Sequence, residues 1–434
     1  MRFVIGVCLG LLVVTPVALP KPDKGDVNTD AGWPQWRGPG RDAVSAEKGL
    51  LKQWPATGPK LVWDSRKING GGTVGSGYSS MAITQGKIFT LGDAKGQANV
   101  YCLDAETGKE LWKVKVGPAD GDNGPRCTPT VDGERLYVLT RRGGLACLKA
   151  GDGAVVWTKD FAKDFNAPSR GWGFCESLLV DGEKLLCSPG SKNALMVALN
   201  KLTGEVIWQC KVPDKINTEQ GNGYSSIVIA EVGGVKQYIN LFCTGVGLAG
   251  VEAKTGKLLW NYRKVSNGTA AIPTAIVKDD YVFASSGYNT GAVLLKLVPD
   301  GKGGIDAKEE YFLNGGKLQN HHGGMIMVGD HIYGGNGHDN GQPFCLEWKT
   351  GKVAWLEKRG AGGGSAAVVF ADGHLYFRYQ DGRMALIEAT PKEYNLKSSF
   401  NVPLSNPGWQ HPVIYHGRLY LRGNDQILCY DIKQ

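Results

Sequence analysis

Eight short segments sit at equivalent places along this chain, and six of them carry side chains that could do chemistry. The six read Gly77-Tyr78-Ser79-Ser80, Arg126-Cys127-Thr128, Phe174-Cys175-Glu176-Ser177, Gly223-Tyr224-Ser225-Ser226, Asn320-His321-His322-Gly323 and Trp409-Gln410-His411. Thr269-Ala270 and Gly364-Ser365 are the plainer pair. Brought to one place, such residues would supply donors, acceptors and a stacking surface for a ligand. Glu176 is the one acid among them. It can act as a general base or a calcium ligand, or pair with Arg126 or Arg170 as a structural ion bridge. His321 and His322 are adjacent, so on a strand their side chains point opposite ways. This argues against a two-histidine metal site and favours a satisfied structural histidine. Trp172 and Trp409 could stack on a planar ligand. The candidate ligand-binding set is Tyr78, Arg126, Trp172, Tyr224, Asn320, His321, His322, Trp409 and His411. Glu176 is the candidate for catalysis, and no metal site is assigned beyond it.

The elements that position these segments follow from a repeat. Ala105-Glu106-Thr107-Gly108-Lys109-Glu110-Leu111-Trp112 returns in altered form around Gly153 and Trp157, Gly204 and Trp208, Gly256 and Trp260, and Gly351 and Trp355. In each copy Trp follows the turn Gly by four residues. Phe312 and Phe400 fall where two further copies should end. Upstream lie second turns such as Asp132-Gly133, Asp181-Gly182 and Asp372-Gly373. An Asp-Gly pair between apolar runs is a hairpin signal, because Gly adopts positive φ without penalty. Each unit therefore reads as four antiparallel strands. Spacings run from 43 residues (Phe312 to Trp355) to 52 (Trp208 to Trp260), which suits one propeller blade.

The eighth copy is split. Thr57-Gly58-Pro59-Lys60-Leu61-Val62-Trp63 has the turn and outer strand, and Leu428-Cys429-Tyr430-Asp431-Ile432-Lys433 has the strand that elsewhere precedes them. The predicted fold is an all-β, eight-bladed propeller closed by an N-terminal strand that completes the last blade. Its domains are a signal peptide (1–20), an N-terminal extension (21–56) and the propeller (57–434). One rim should carry the uniform Asp-Gly and Thr-Gly turns. The other should carry the long, varied loops, including 117–125, 160–173, 334–343 and 404–409. Varied loops read as the binding face, and the eight segments should start the innermost strands at that mouth.

The unit Asp-Ala-x-Thr-Gly-Lys-x-x-Trp resembles the tryptophan-docking repeat of pyrroloquinoline quinone (PQQ) dehydrogenases. It is also similar to the propeller lipoprotein of outer-membrane protein assembly. The opening Trp33-Pro34-Gln35-Trp36-Arg37-Gly38-Pro39 is similar to exported bacterial PQQ-repeat proteins. The resemblance implies two function classes. One is a ligand- or protein-binding scaffold in the cell envelope. The other is a PQQ- and calcium-dependent dehydrogenase of alcohols or sugars. The vicinal Cys-Cys pair of PQQ alcohol dehydrogenases is absent, as is a haem-attachment motif. The scaffold is the favoured reading.

Composition fits. Gly is abundant at 63 residues, as many tight turns require, and the net charge of +8 is not concentrated in any basic run. No nucleic-acid footprint follows. Arg2, the apolar run Phe3 to Val14 and small residues to Ala18 read as an export signal, implying a periplasmic or secreted protein with no transmembrane segment in the mature chain. Cys102, Cys147, Cys345 and Cys429 share one third-strand position that Ala198 and Gly250 fill elsewhere. That pattern calls for small buried free thiols rather than disulfides.

Overall fold

The Thr-Gly and Asp-Gly turns cut the chain into strands too short to bury a face alone, and the chain satisfies them by repetition. The computed structural model describes residues 1, 32–119, 121, 124–169, 171–218, 221–404 and 408–434. The expected signal peptide, apart from Met1, and Arg170 lie outside the described residues. Eight separate antiparallel sheets form the blades of a propeller. Blade 2 is representative: Thr130–Asp132, Arg135–Leu139, Gly144–Lys149 and Val155–Asp160, each strand paired with the next. First strands touch their counterparts in neighbouring blades, so they line the central channel. Helix is confined, among the described residues, to Ser65–Ile68 and Phe161–Phe165.

Blade 8 is assembled from both ends of the chain. Lys60–Asp64 is its outermost strand and pairs antiparallel with Gln426–Asp431. Arg422 of the same blade then reaches blade 1, donating to the carbonyls of Ser79 at 3.0 Å, Leu91 at 2.6 Å and Gly75 at 3.1 Å. This joint closes the ring and completes the outer strand of blade 8, leaving only the short outer edges of the blades.

Tryptophan docking holds neighbouring blades together. The turn glycines Gly108, Gly153, Gly204 and Gly256 lie on the tryptophan ring of the preceding blade, and Gly351 and Gly58 on Tyr311 and Phe400. Gly108 has φ +72, and a Cβ there would lie 2.7 Å from the Trp63 ring. The indole N–H also donates across blades, as from Trp63 to the Ala105 carbonyl at 3.2 Å and from Trp208 to that of Ala253 at 3.2 Å. Opposite each indole stands a small residue: Cys102 faces Trp112, Cys147 Trp157, Cys345 Trp355 and Cys429 Trp63. Two copies depart from the sequence expectation. The position beside the outer-strand bulge, which is tryptophan in the other blades, is Tyr311 in blade 5 and Ser398 in blade 7 rather than the aligned phenylalanines. Tyr311 keeps the interblade bond, donating to the Trp348 carbonyl at 2.7 Å. In blade 7, Phe400 still packs under Gly58, and Trp54 closes the gap edge-on to Phe400 at 5.5 Å.

The described part of the N-terminal extension, from residue 32 on, packs against the blades. Residues 33–45 thread the central channel. Trp33 exchanges backbone hydrogen bonds with Ile83, and the Pro34 carbonyl accepts from Val131. Arg37 donates to the carbonyls of Gly323, at 2.8 Å, and Met325. Val44–Ser45 adds a parallel strand to the innermost strand of blade 7. The segment thus satisfies inner-strand carbonyls that face no partner strand, and it plugs the ring.

A candidate ligand cup at the channel mouth

The plug turns the mouth into a cup. Trp36 lies in its floor, with its indole N–H on Thr274 Oγ1 at 3.0 Å and its ring 4.4 Å from that of His411. The cup encloses about 300 Å³, at the small end of ligand pockets. On the other side of the plug a wider cavity of about 590 Å³ is lined by residues including Val180, Ile229, Val277 and Gly329.

One wall of the cup is a continuous run of rings. Arg126 lies over Tyr78 at 5.3 Å, Tyr78 stacks on Trp409 at 4.8 Å, and His322 stacks on Trp409 at 4.1 Å and 17°. His321 follows at 3.9 Å from His322, then His338 at 3.9 Å from His321. Tyr288 packs 4.4 Å from His338. Across the mouth Trp172 and Tyr224 meet edge to face at 5.8 Å.

Tyr78, Arg126, Trp172, Tyr224, His321, His322, Trp409 and His411, all singled out in the sequence, line the cup. Asn320 does not. Its Nδ2 donates to the Gly335 carbonyl at 2.8 Å and its Oδ1 accepts from Gly324 N–H at 3.2 Å, so it braces the strand start. The expectation that adjacent histidines must diverge is also overturned. Residues 321–323 form a bend, the strand begins only at Met325, and Gly323 has φ +66. Alternation requires pleated strand, so both rings reach the cup.

Glu176 is fully buried and turned away from the cup, whose lining takes Cys175 and Ser177 instead. One carboxylate oxygen accepts from Ser188 N–H at 2.5 Å; the other has no partner. Burial pushes its pKa up to about 7, opposed by the Ser188 hydrogen bonds and the charge of Arg41. The expected partner Arg126 is at the cup, and the cation that faces Glu176 belongs to the plug. Sequence reasoning had no means to find Arg41, because Glu176, Ser177 and Leu178 lie more than a hundred residues away in the chain.

Burial holds His321, His322 and His411 neutral. It lowers His321 to about 4, aided by His338 and opposed by Asp339, and lowers His411 to about 3, with the nearby Arg37 adding to the fall. Trp36, Tyr288, His338 and Asp339 were missed in the sequence. The loop 334–343 was marked as varied, but nothing local marked its His-Asp pair as facing His321.

The residues present do not fit PQQ with calcium. A tricarboxylate asks for several cations, and Arg126 is the sole permanent cation among the described lining residues. The buried arginines are committed to backbone carbonyls, Arg37 and Arg41 in the plug and Arg378 and Arg422 in the blades. Calcium asks for clustered oxygens, and Glu176 points elsewhere.

A family model described as "Outer membrane protein assembly factor BamB" matches residues 96–357, more than half of the chain. This chain belongs to that family of PQQ-repeat propellers. A BamB of Shewanella oneidensis is 22% identical over 264 residues, covering 57% of this chain and 60% of the relative. This chain therefore spans less than two thirds of that BamB. A tetrathionate hydrolase of Acidithiobacillus ferrooxidans is 27% identical over 187 residues, covering 40% of this chain and 34% of the relative. In fold, the chain is similar to the quinohemoprotein alcohol dehydrogenase of Comamonas testosteroni, with a TM-score of 0.62 at 13% identity, covering 92% of this chain and 80% of that one. Proteins with three different names are similar to this chain, so the likeness does not choose among their activities. Among the described residues, no helix is long and apolar enough to cross a membrane.

Proposed function

We propose that this BamB-family chain is an exported ligand- or protein-binding scaffold of the cell envelope, and that the cup on its varied-loop rim is the binding site. The observation that carries the reading is the closed aromatic cup itself. Trp36 floors it, Tyr78, Trp409 and Tyr288 line one wall, and Trp172 and Tyr224 line another. Such a surface suits a planar, weakly polar group, either a small molecule or an aromatic side chain of a partner protein. The name of the BamB relatives, assembly factors for outer membrane proteins, supports a binding role over a catalytic one.

The test is a titration of the full chain with planar aromatic fragments, followed by quenching of tryptophan fluorescence. Saturable quenching should weaken at least tenfold in Trp409→Ala and Trp172→Ala. It should survive substitution of Thr107 on the turn rim. Quenching that ignores both cup tryptophans would refute the assignment.

A further inference from the structure

Beside the stacking wall, one cluster has no role in the aromatic reading. His321 precedes the innermost strand of blade 6, and His338 and Asp339 lie in the loop between that blade's second and third strands. One donor atom from each lies within 4.8 Å of the others. Asp339 Oδ1 is 3.1 Å from His321 Nδ1, and Asp339 Oδ2 is 3.5 Å from His338 Nε2. Donors around a tetrahedral ion with bonds of about 2.0–2.1 Å stand about 3.4 Å apart. The two carboxylate oxygens thus face one imidazole each near that separation, and the three donors need to draw in by about 1 Å or a little more to meet on one ion.

We propose that His321, His338 and Asp339 bind a divalent first-row metal ion, zinc by preference, in the wall of the cup. Two imidazoles and one carboxylate are borderline donors that suit zinc and its neighbours, whereas calcium and magnesium seek oxygen. The neighbours orient the first ligand. His321 Nε2 meets the Tyr288 hydroxyl at 3.2 Å, and a proton donated there leaves the Nδ1 lone pair for the ion. Ser365 Oγ, 2.8 Å from Nδ1 and 3.3 Å from Asp339 Oδ1, occupies the space between them. All three ligands line the cup, so the remaining coordination position faces the bound group. Three protein ligands with one open position is the pattern of a reactive rather than a structural site.

The inference goes beyond the scaffold reading and stands without it, because the metal is measured with no other ligand present. The full chain, free of a polyhistidine tag and stripped with a chelator, is titrated with zinc against a chromophoric competitor, and with cobalt as a visible probe. One equivalent should bind, and cobalt should give an intense tetrahedral band. His338→Ala and Asp339→Asn, whose side chains are 37% and 54% exposed, should fold normally and lose at least about a hundredfold in affinity. Tyr288→Phe should lose about tenfold and shift the cobalt band. Substoichiometric binding overturns the proposal. So does one-equivalent binding that His338→Ala and Asp339→Asn leave unchanged, which would place the ion on Cys175 or another group.

Discussion

The guanidinium of Arg41 donates to the carbonyl of Ser177 at 2.9 Å, joining the N-terminal segment to the start of blade 3. It also donates to the Leu178 carbonyl at 3.0 Å. Arg41→Ala would lose two charge-assisted bonds, with the Leu178 carbonyl still accepting from the Thr130 hydroxyl at 2.7 Å. The expected cost is about 2–4 kcal/mol, read from the urea midpoint. A change below about 0.5 kcal/mol would mean that the plug does not brace the ring.

Glu176 sits beside that joint and should give stability a pH signature. Its folded pKa, about 7, is above the ordinary carboxyl value of about 4.3. Between those values the folded state holds the proton that the unfolded state has released. Stability from this group is therefore full below about pH 4, falls as pH rises through 7 and then levels off. The loss is of order 3 kcal/mol. Glu176→Gln keeps an acceptor for Ser188 and should remove the slope, making the variant relatively more stable at pH 8 than at pH 5. Parallel profiles for parent and variant would contradict a buried, protonated Glu176. This replaces the expectation of an ion pair with Arg126, under which the same change would simply destabilise.

The ring and its working face were legible in the sequence because they rest on local signals. A turn glycine four residues before tryptophan, and Asp-Gly hairpins between apolar runs, recur often enough to count blades. Residues at strand starts then fall to one mouth by topology alone, which is why Tyr78, Trp409 and His411 were found. The plug was not legible. Trp36-Arg37-Gly38-Pro39-Gly40-Arg41 has no period, and its partners are inner-strand carbonyls that sequence does not mark. His338 and Asp339 were missed for the same reason. Tyr311 rather than Phe312 was not legible as the docking residue, because blade 5 has no Thr-Gly turn from which to count.

Ring closure predicts the result of a deletion. Removing residues 57–66 takes away the outer strand that pairs with Gln426–Asp431. It also takes Gly58 off the Phe400 ring and Trp63 out of its dock under Gly108. The exposed edge should cause aggregation in light scattering. A monomeric deletion variant that melts like the parent would contradict closure by this segment.

The thiols should sort by burial. The described cysteines are buried except Cys175, which is partly exposed. Burial pushes Cys102 and Cys429 up to about 12, and Cys147 and Cys345 up to about 11. An alkylating agent at pH 8 should therefore modify Cys175 in the native protein, and the four repeat thiols only after denaturation without reductant. Mass spectrometry reads the outcome. A disulfide between any two of those four would overturn the docking account, which has each as a small residue under its own indole.

The claim that this propeller binds rather than oxidises is tested most directly by giving it the cofactor. The purified parent, supplied with PQQ and calcium, is assayed for dye reduction with alcohols alongside Glu176→Gln. With Arg126 the sole permanent cation among the described lining residues and Glu176 turned from the cup, the account predicts no turnover and no rise in melting temperature with PQQ. Robust parental turnover, abolished in Glu176→Gln at unchanged melting temperature, would contradict it and make Glu176 the catalytic base.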